Sequence, residues 1–154
     1  MSNEPKLRTV NKAKPPYELN KFPKSFIDTL GKELVYLMAT KDSYSLEGNE
    51  WEQIFANCIN ATWKPSNVGL DDIILGSCCW GAKTVISSSK NILNQKTVRL
   101  ISGRNSPAYS FEEDNILHQD PNYIGRLVLD IWNERVSAVR QIYKFVRTVV
   151  LVKG

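Results

Sequence analysis

Leu70-Asp71-Asp72-Ile73-Ile74-Leu75-Gly76-Ser77-Cys78-Cys79-Trp80-Gly81-Ala82-Lys83-Thr84-Val85 is the stretch on which the other segments of the chain converge. It reads as two apolar strands joined by a small-residue turn, with an acidic pair leading into the first strand and one lysine inside the second. Adjacent antiparallel strands hold opposed β-carbons roughly 5 Å apart, so such a hairpin can bring Asp72 close to Lys83. A carboxylate and an ammonium at that spacing can bind a divalent metal and orient a water toward a phosphate. The same residues also suit a structural role, with Asp71 and Asp72 as polar residues before a strand and Lys83 as a solvent-facing position.

Upstream of the hairpin, Trp51, Ile54, Phe55, Cys58 and Ile59 follow the spacing of a buried helical face, so a helix beginning around Asn49 should lie against the sheet. At about 100° per residue, Glu52 falls on the margin of that face, where its carboxylate could lean into a cleft. Asn49 and Glu52 also have the spacing of a capping box. Before this helix, Phe26, Leu30, Leu34 and Leu37 predict another from Pro23 onward, ending near Thr40-Lys41-Asp42. Residues 1–20, with Pro15-Pro16 and many lysines, read as a basic flexible arm, and residues 21–154 as one domain.

Downstream, Trp63-Lys64-Pro65-Ser66-Asn67 reads as a loop and Thr97-Val98-Arg99-Leu100-Ile101-Ser102 as a half-buried strand. Gly103-Arg104-Asn105-Ser106-Pro107 gathers a guanidinium, an amide and a hydroxyl, groups suited to phosphate or base-edge contacts, although an ordinary turn uses the same residues. Asp120-Pro121 announces a helix, since Asp caps well and Pro is tolerated at the first helical position. The closing run Thr148-Val149-Val150-Leu151-Val152 is apolar on both faces and reads as an interior strand. A long helix crossing back to it makes that pairing parallel, so the body is an α/β (α+β) chain in the order α-β-β-β-α-β, with helices flanking a mixed sheet.

Composition bounds the rest. At 154 residues, with 42% hydrophobic and 23% charged content, the chain suits one globular domain. The first 24 residues carry six Lys or Arg against two Glu and so account for the whole net charge of +4, leaving a neutral body. Nucleic-acid affinity would then come from the basic arm or a local patch rather than a bulk electrostatic footprint. No apolar run approaches the roughly 20 residues of a membrane span, and no h-region follows the N-terminus, which points to the cytoplasm and away from membranes. Cys58, Cys78 and Cys79 are odd in number and two are adjacent, against a disulfide framework. With His118 they make a poor zinc set, because adjacent thiolates lack the usual spacer, and they read as small buried hydrophobes.

The element order, with Glu52 on a body helix, Asp72 in one strand of a hairpin and Lys83 in the next, resembles the PD-(D/E)XK nuclease core of type II restriction endonucleases. The segments 80–85, 101–107 and 147–152 resemble those enzymes as well, and the likeness spans roughly residues 47 to 152. It implies a restriction-endonuclease-like fold and metal-dependent cleavage of double-stranded DNA, with Mg²⁺ as cofactor. Asp72 would be the metal ligand and Lys83 the residue that positions or deprotonates the attacking water. Arg104, Asn105 and Ser106 are the candidate DNA contacts. Gly81 stands where the family has a second acid. Glu52 is the candidate replacement and second metal ligand, and Asp71 could contribute if the register slips by one. The resemblance further implies a homodimer, and the chain could be the front part of a longer enzyme. Two other readings remain open: a catalytically inactive DNA-binding module of the same fold, and an α/β protein-interaction domain.

Overall fold

Phe26, Leu30, Leu34 and Leu37 form the inner stripe of helix α1 (Phe26–Thr40), which lies against helix α2 (Gly48–Cys58). The computed structural model describes residues 13–66, 69–88, 91–98, 106–111 and 119–154. The expected spacing of α2 holds, since Trp51, Ile54, Phe55, Cys58 and Ile59 are all buried. Its N-terminal box, however, is built one position set earlier than Asn49 and Glu52. The Glu47 amide donates to Glu50 Oε2 at 2.7 Å, and the Glu47 side chain accepts from the Glu50 amide. Both pairs have the right spacing; the Glu50 carboxylate is also gripped by Lys41 Nζ at 2.8 Å, which favours the earlier start.

The exit of α2 aims the chain at the sheet. Asn60 adopts a left-handed φ of 53°, the Asn60 amide donates to Asn57 O at 3.3 Å and the Ala61 amide to Ala56 O at 2.9 Å. This Schellman arrangement satisfies two orphan carbonyls and turns the backbone into strand β1 (Thr62–Trp63).

The sheet has four strands in the order β1-β2-β3-β4. Strand β2 (Ile73–Leu75) pairs antiparallel with β1 and with β3 (Cys78–Ile86), while β4 (Phe145–Lys153) pairs parallel with β3. Gly76, with φ of +59°, opens the two-residue turn between Leu75 and Cys78, a left-handed start that tight hairpins need. The fold is therefore mixed α+β with a mixed sheet. Its three-strand meander is closed by β1 rather than by the expected strand at residues 97–102. Thr97 and Val98 are in no strand, and 99–102 lie outside the described residues.

The two faces of β3 serve different helices. Cys78, Trp80 and Ala82 join Ile73 and the α2 side chains in the larger core, where the Phe55 ring lies 5.7 Å from Trp51 and 6.2 Å from Trp80. Cys79 faces the other way, into a cluster with Leu70 and Val139 of helix α4 (Pro121–Arg140). Asp120 caps α4 as its sequence indicates, accepting from the Asn122 and Tyr123 amides at 2.9 and 3.2 Å. A short helix α3 (Pro107–Phe111) precedes it. The last strand is parallel as expected, but it ends the described sheet instead of lying inside it. Its unbroken apolar run has another cause: Phe145, Val149 and Leu151 pack toward α2 while Val146 packs toward α4, so both faces are covered. Tyr17, inside the expected arm, is tied down by Arg147 Nη1, which donates to Tyr17 O at 2.7 Å.

Gly81 marks a close approach. A Cβ built there would lie 2.7 Å from Gly69 O and 2.9 Å from Leu70 Cα, both backbone atoms. Gly81→Ala is therefore expected to destabilise the chain by about 1–3 kcal/mol, the usual cost of overpacking. Urea denaturation measures this, and an unchanged midpoint would contradict the close approach.

Candidate active site

The hairpin register decides which side chains can meet. Ile73 pairs with Trp80, so the ladder carried one step further sets Asp72 across from Gly81, and Lys83 lies two residues beyond. Asp72 and Lys83 are thus diagonal neighbours rather than directly opposed, a relation of about 7–8 Å between backbone positions that a lysine stem can span. Period-two alternation puts Gly81 and Lys83 on the face of Cys79, the α4 side, and Asp72 follows to the same side because its neighbour Ile73 points toward α2.

Asp72 is buried, with only 3% of its surface exposed. Part of its work is structural: Oδ1 accepts from the Ser66 amide at 3.1 Å, and its carbonyl accepts from the Lys64 amide at 2.7 Å. These bonds fasten the segment between β1 and β2 across the acidic pair. Asp71 is half-buried, and its Oδ1 is shut off from water with no hydrogen-bond partner among the described residues. An anionic oxygen in that state calls for a cation or a proton. Both carboxylates act on Cys79, whose thiol is pushed up to about 12, first by burial, then by Cys78, Asp71 and Asp72. Tyr143, which follows α4, is raised from its ordinary value by burial and then by Asp71 and Cys79. Tyr143 was not among the expected site residues, for it sits in the turn after α4, where no periodic pattern points to it.

Glu52 is drawn elsewhere. Its Oε2 accepts from Trp63 Nε1 at 3.1 Å, and Trp63 packs with the α2-side core. Asp72 and Lys83 thus fall on the same side of the hairpin by register, Asp71 precedes Asp72 outside the ladder and acts on Cys79 and Tyr143, and Glu52 is engaged by Trp63 on the α2 side. Among the described residues no three His, Cys, Asp or Glu side chains cluster as a metal set. Two carboxylates remain compatible with Mg²⁺, which keeps several waters and needs one or two protein ligands. No side chain fits at Gly81, the position where the resemblance would place a second acid, because the Gly69–Leu70 backbone occupies the room its Cβ would take. Of the candidate DNA contacts, Arg104 and Asn105 lie outside the described residues; Ser106 is half-buried and its carbonyl accepts the Tyr109 and Ser110 amides at the start of α3. His118 also lies outside the described residues.

The cysteines are free and buried. Burial, and then Glu33, lift the Cys58 thiol from the ordinary 9.0 to about 11. At pH 8 only about one Cys58 in a thousand is then a thiolate, so a disulfide reagent is expected to label no cysteine in the folded chain and all three after denaturation. Fast labelling of the native chain would contradict this burial. The folded chain keeps protons that the unfolded chain releases near pH 9, so the stability these two thiols contribute is fully present below that pH and is lost as pH climbs toward 11 and 12. No helix among the described residues is long and apolar enough to cross a membrane. In comparisons with known proteins, no family model, no curated protein and no solved structure matches this chain.

Proposed function

We propose that this chain carries the hydrolytic core of a metal-dependent DNA endonuclease of the restriction-endonuclease-like type. Asp72 and Asp71 are its metal-binding carboxylates, and Lys83 orients the attacking water. The observation that carries this reading is the entrance of the hairpin: Asp72 stands diagonal to Lys83 by register, and beside it Asp71 holds a buried oxygen with no hydrogen-bond partner among the described residues. Bound there, Mg²⁺ would neutralise charge on a phosphodiester and lower the pKa of a coordinated water. The chain's own groups have separate tasks. The Ser66 and Lys64 amides fix Asp72 in place. Lys83, on the stiff central strand, brings a donor toward the water and the phosphate oxygens. Glu52 keeps to its bond with Trp63 in this reading and is not a metal ligand.

A second reading, a DNA-binding module of the same fold without catalysis, is favoured by one specific observation. The position of the family's second acid is closed by backbone at Gly81, so no acid there can complete a three-ligand set.

Incubation with genomic DNA of mixed sequence discriminates the two. The endonuclease reading expects Mg²⁺-dependent fragmentation that chelation stops and that Lys83→Ala and Asp72→Asn each slow by at least about 100-fold. Salt-sensitive binding without cleavage under any divalent ion selects the second reading, and cleavage undiminished in both variants contradicts the assignment of these residues.

A further inference from the structure

The segment before α1 builds a cavity that the hairpin chemistry does not use. Tyr17 is pinned at one end of a loop, its carbonyl held by Arg147 Nη1 at 2.7 Å and its hydroxyl donating to Ile59 O at 3.3 Å. Phe22 is pinned at the other end, stacked on Phe26 with ring centroids 4.4 Å apart and set edge-on to Phe55 at 5.9 Å. Between these anchors the chain turns, with the Lys21 amide donating to Glu18 O at 3.1 Å and Asn20 at a left-handed φ of 59°. This loop forms one wall of an open cavity of about 410 Å³, residues 147–150 of β4 form another, and the buried Phe26, Trp51 and Trp80 also line it. The volume is that of a small-molecule site.

Two polar groups of the lining lack the partners their chemistry calls for. Arg147 pairs in register with Trp80, and since Phe145 and Val149 pack on the α2-side core, period-two alternation turns the Arg147 side chain to that face as well. It is half-buried and gives one nitrogen to Tyr17 O, but no carboxylate among the described residues pairs with it, Glu18 of the loop included. A guanidinium stays charged and offers five donors, so one held half-buried without a counter-charge favours an anion. Trp51 is 4% exposed, and its Nε1 is shut off from water with no hydrogen-bond partner among the described residues. Buried indole N–H groups ordinarily have an acceptor.

We infer that this cavity binds a small flat aromatic carboxylate, with its carboxylate on Arg147, its ring against Phe26 and Trp80, and a ring acceptor for Trp51 Nε1. Aromatic walls favour a planar apolar body, and a guanidinium fork takes a carboxylate through two parallel hydrogen bonds. Lys21 and Arg147 against Glu18 leave the lining one positive charge, which matches a carboxylate and leaves a phosphoryl dianion unbalanced. Because the loop is anchored at both ends by the protein itself, binding orders little that is not already ordered. The site lies on the α2 side of the sheet and is independent of the chemistry proposed at the hairpin.

Titrating isotope-labelled full chain with a set of one- and two-ring aromatic acids, nicotinate and quinoline carboxylates among them, tests it through the indole N–H resonances. The chain has four tryptophans, and the resonance missing from Trp51→Phe is that of Trp51. The expected result is a saturable shift of the Trp51 resonance by at least one acid, with a dissociation constant below about 1 mM. The uncharged amide of that acid should bind at least about tenfold more weakly, and Arg147→Met should weaken binding of the acid by a similar factor. Circular dichroism checks that the variant is folded; should it not fold, the comparison of acid with amide on the native chain decides. A set in which no acid moves the Trp51 resonance overturns the proposal, as does an amide that binds as tightly as its acid, or undiminished binding by folded Arg147→Met.

Discussion

The contact between the backbone of Gly69–Leu70 and Gly81 sets the geometry of everything around the hairpin. With no side chain on β3 at that point, the incoming segment lies directly on the strand, Leu70 is seated beside Cys79 and Val139, and Asp71 and Asp72 follow it into β2. Were the segment lifted by the width of a methyl group, Leu70 would leave its buried position beside Cys79 and Val139, and the acidic pair would move with it. Packing interiors are too dense to absorb such a shift without rearrangement. The same close approach removes the room for an acid at position 81. One steric fact therefore both positions the carboxylates and limits how many there can be.

Around this contact the sheet divides the labour of the chain. The α2 side is an aromatic core in which Phe55 touches Trp51 and Trp80, and full burial of such a side chain is worth about 1.5–3 kcal/mol. The α4 side is thinner and more polar, with Cys79, Tyr143 and the two aspartates sharing a small volume. The apolar core and the polar cluster thus occupy opposite faces of β3.

Much of this was legible in the sequence where the cause is local. Asp120-Pro121 opened α4 because capping chemistry needs only neighbouring residues, and the buried face of α2 followed from spacing alone. The hairpin was readable from two apolar runs about a small-residue turn. What failed to show has tertiary causes. Strand β1 is two residues long and carries no periodicity; it exists because β2 offers it a ladder. Asn49 with Glu52 and Glu47 with Glu50 share the capping spacing, and only Lys41, brought in by the fold, decides between them. Glu52 and Asp72 look alike as free acids in a sequence, yet the Trp63 indole claims one for the α2 side. The crowding at Gly81 is equally invisible until Gly69 is laid beside it.

The central claim is that a divalent cation is held by the acidic entrance of the hairpin, on the α4 face. Titrating Mn²⁺ into isotope-labelled protein and following paramagnetic broadening of the amide resonances tests it directly. The account predicts that Asp71, Asp72 and the Gly81–Lys83 segment broaden first, with the Glu52 amide across the sheet affected less. Broadening strongest at Glu52, or none around the hairpin at any Mn²⁺ concentration, would contradict it.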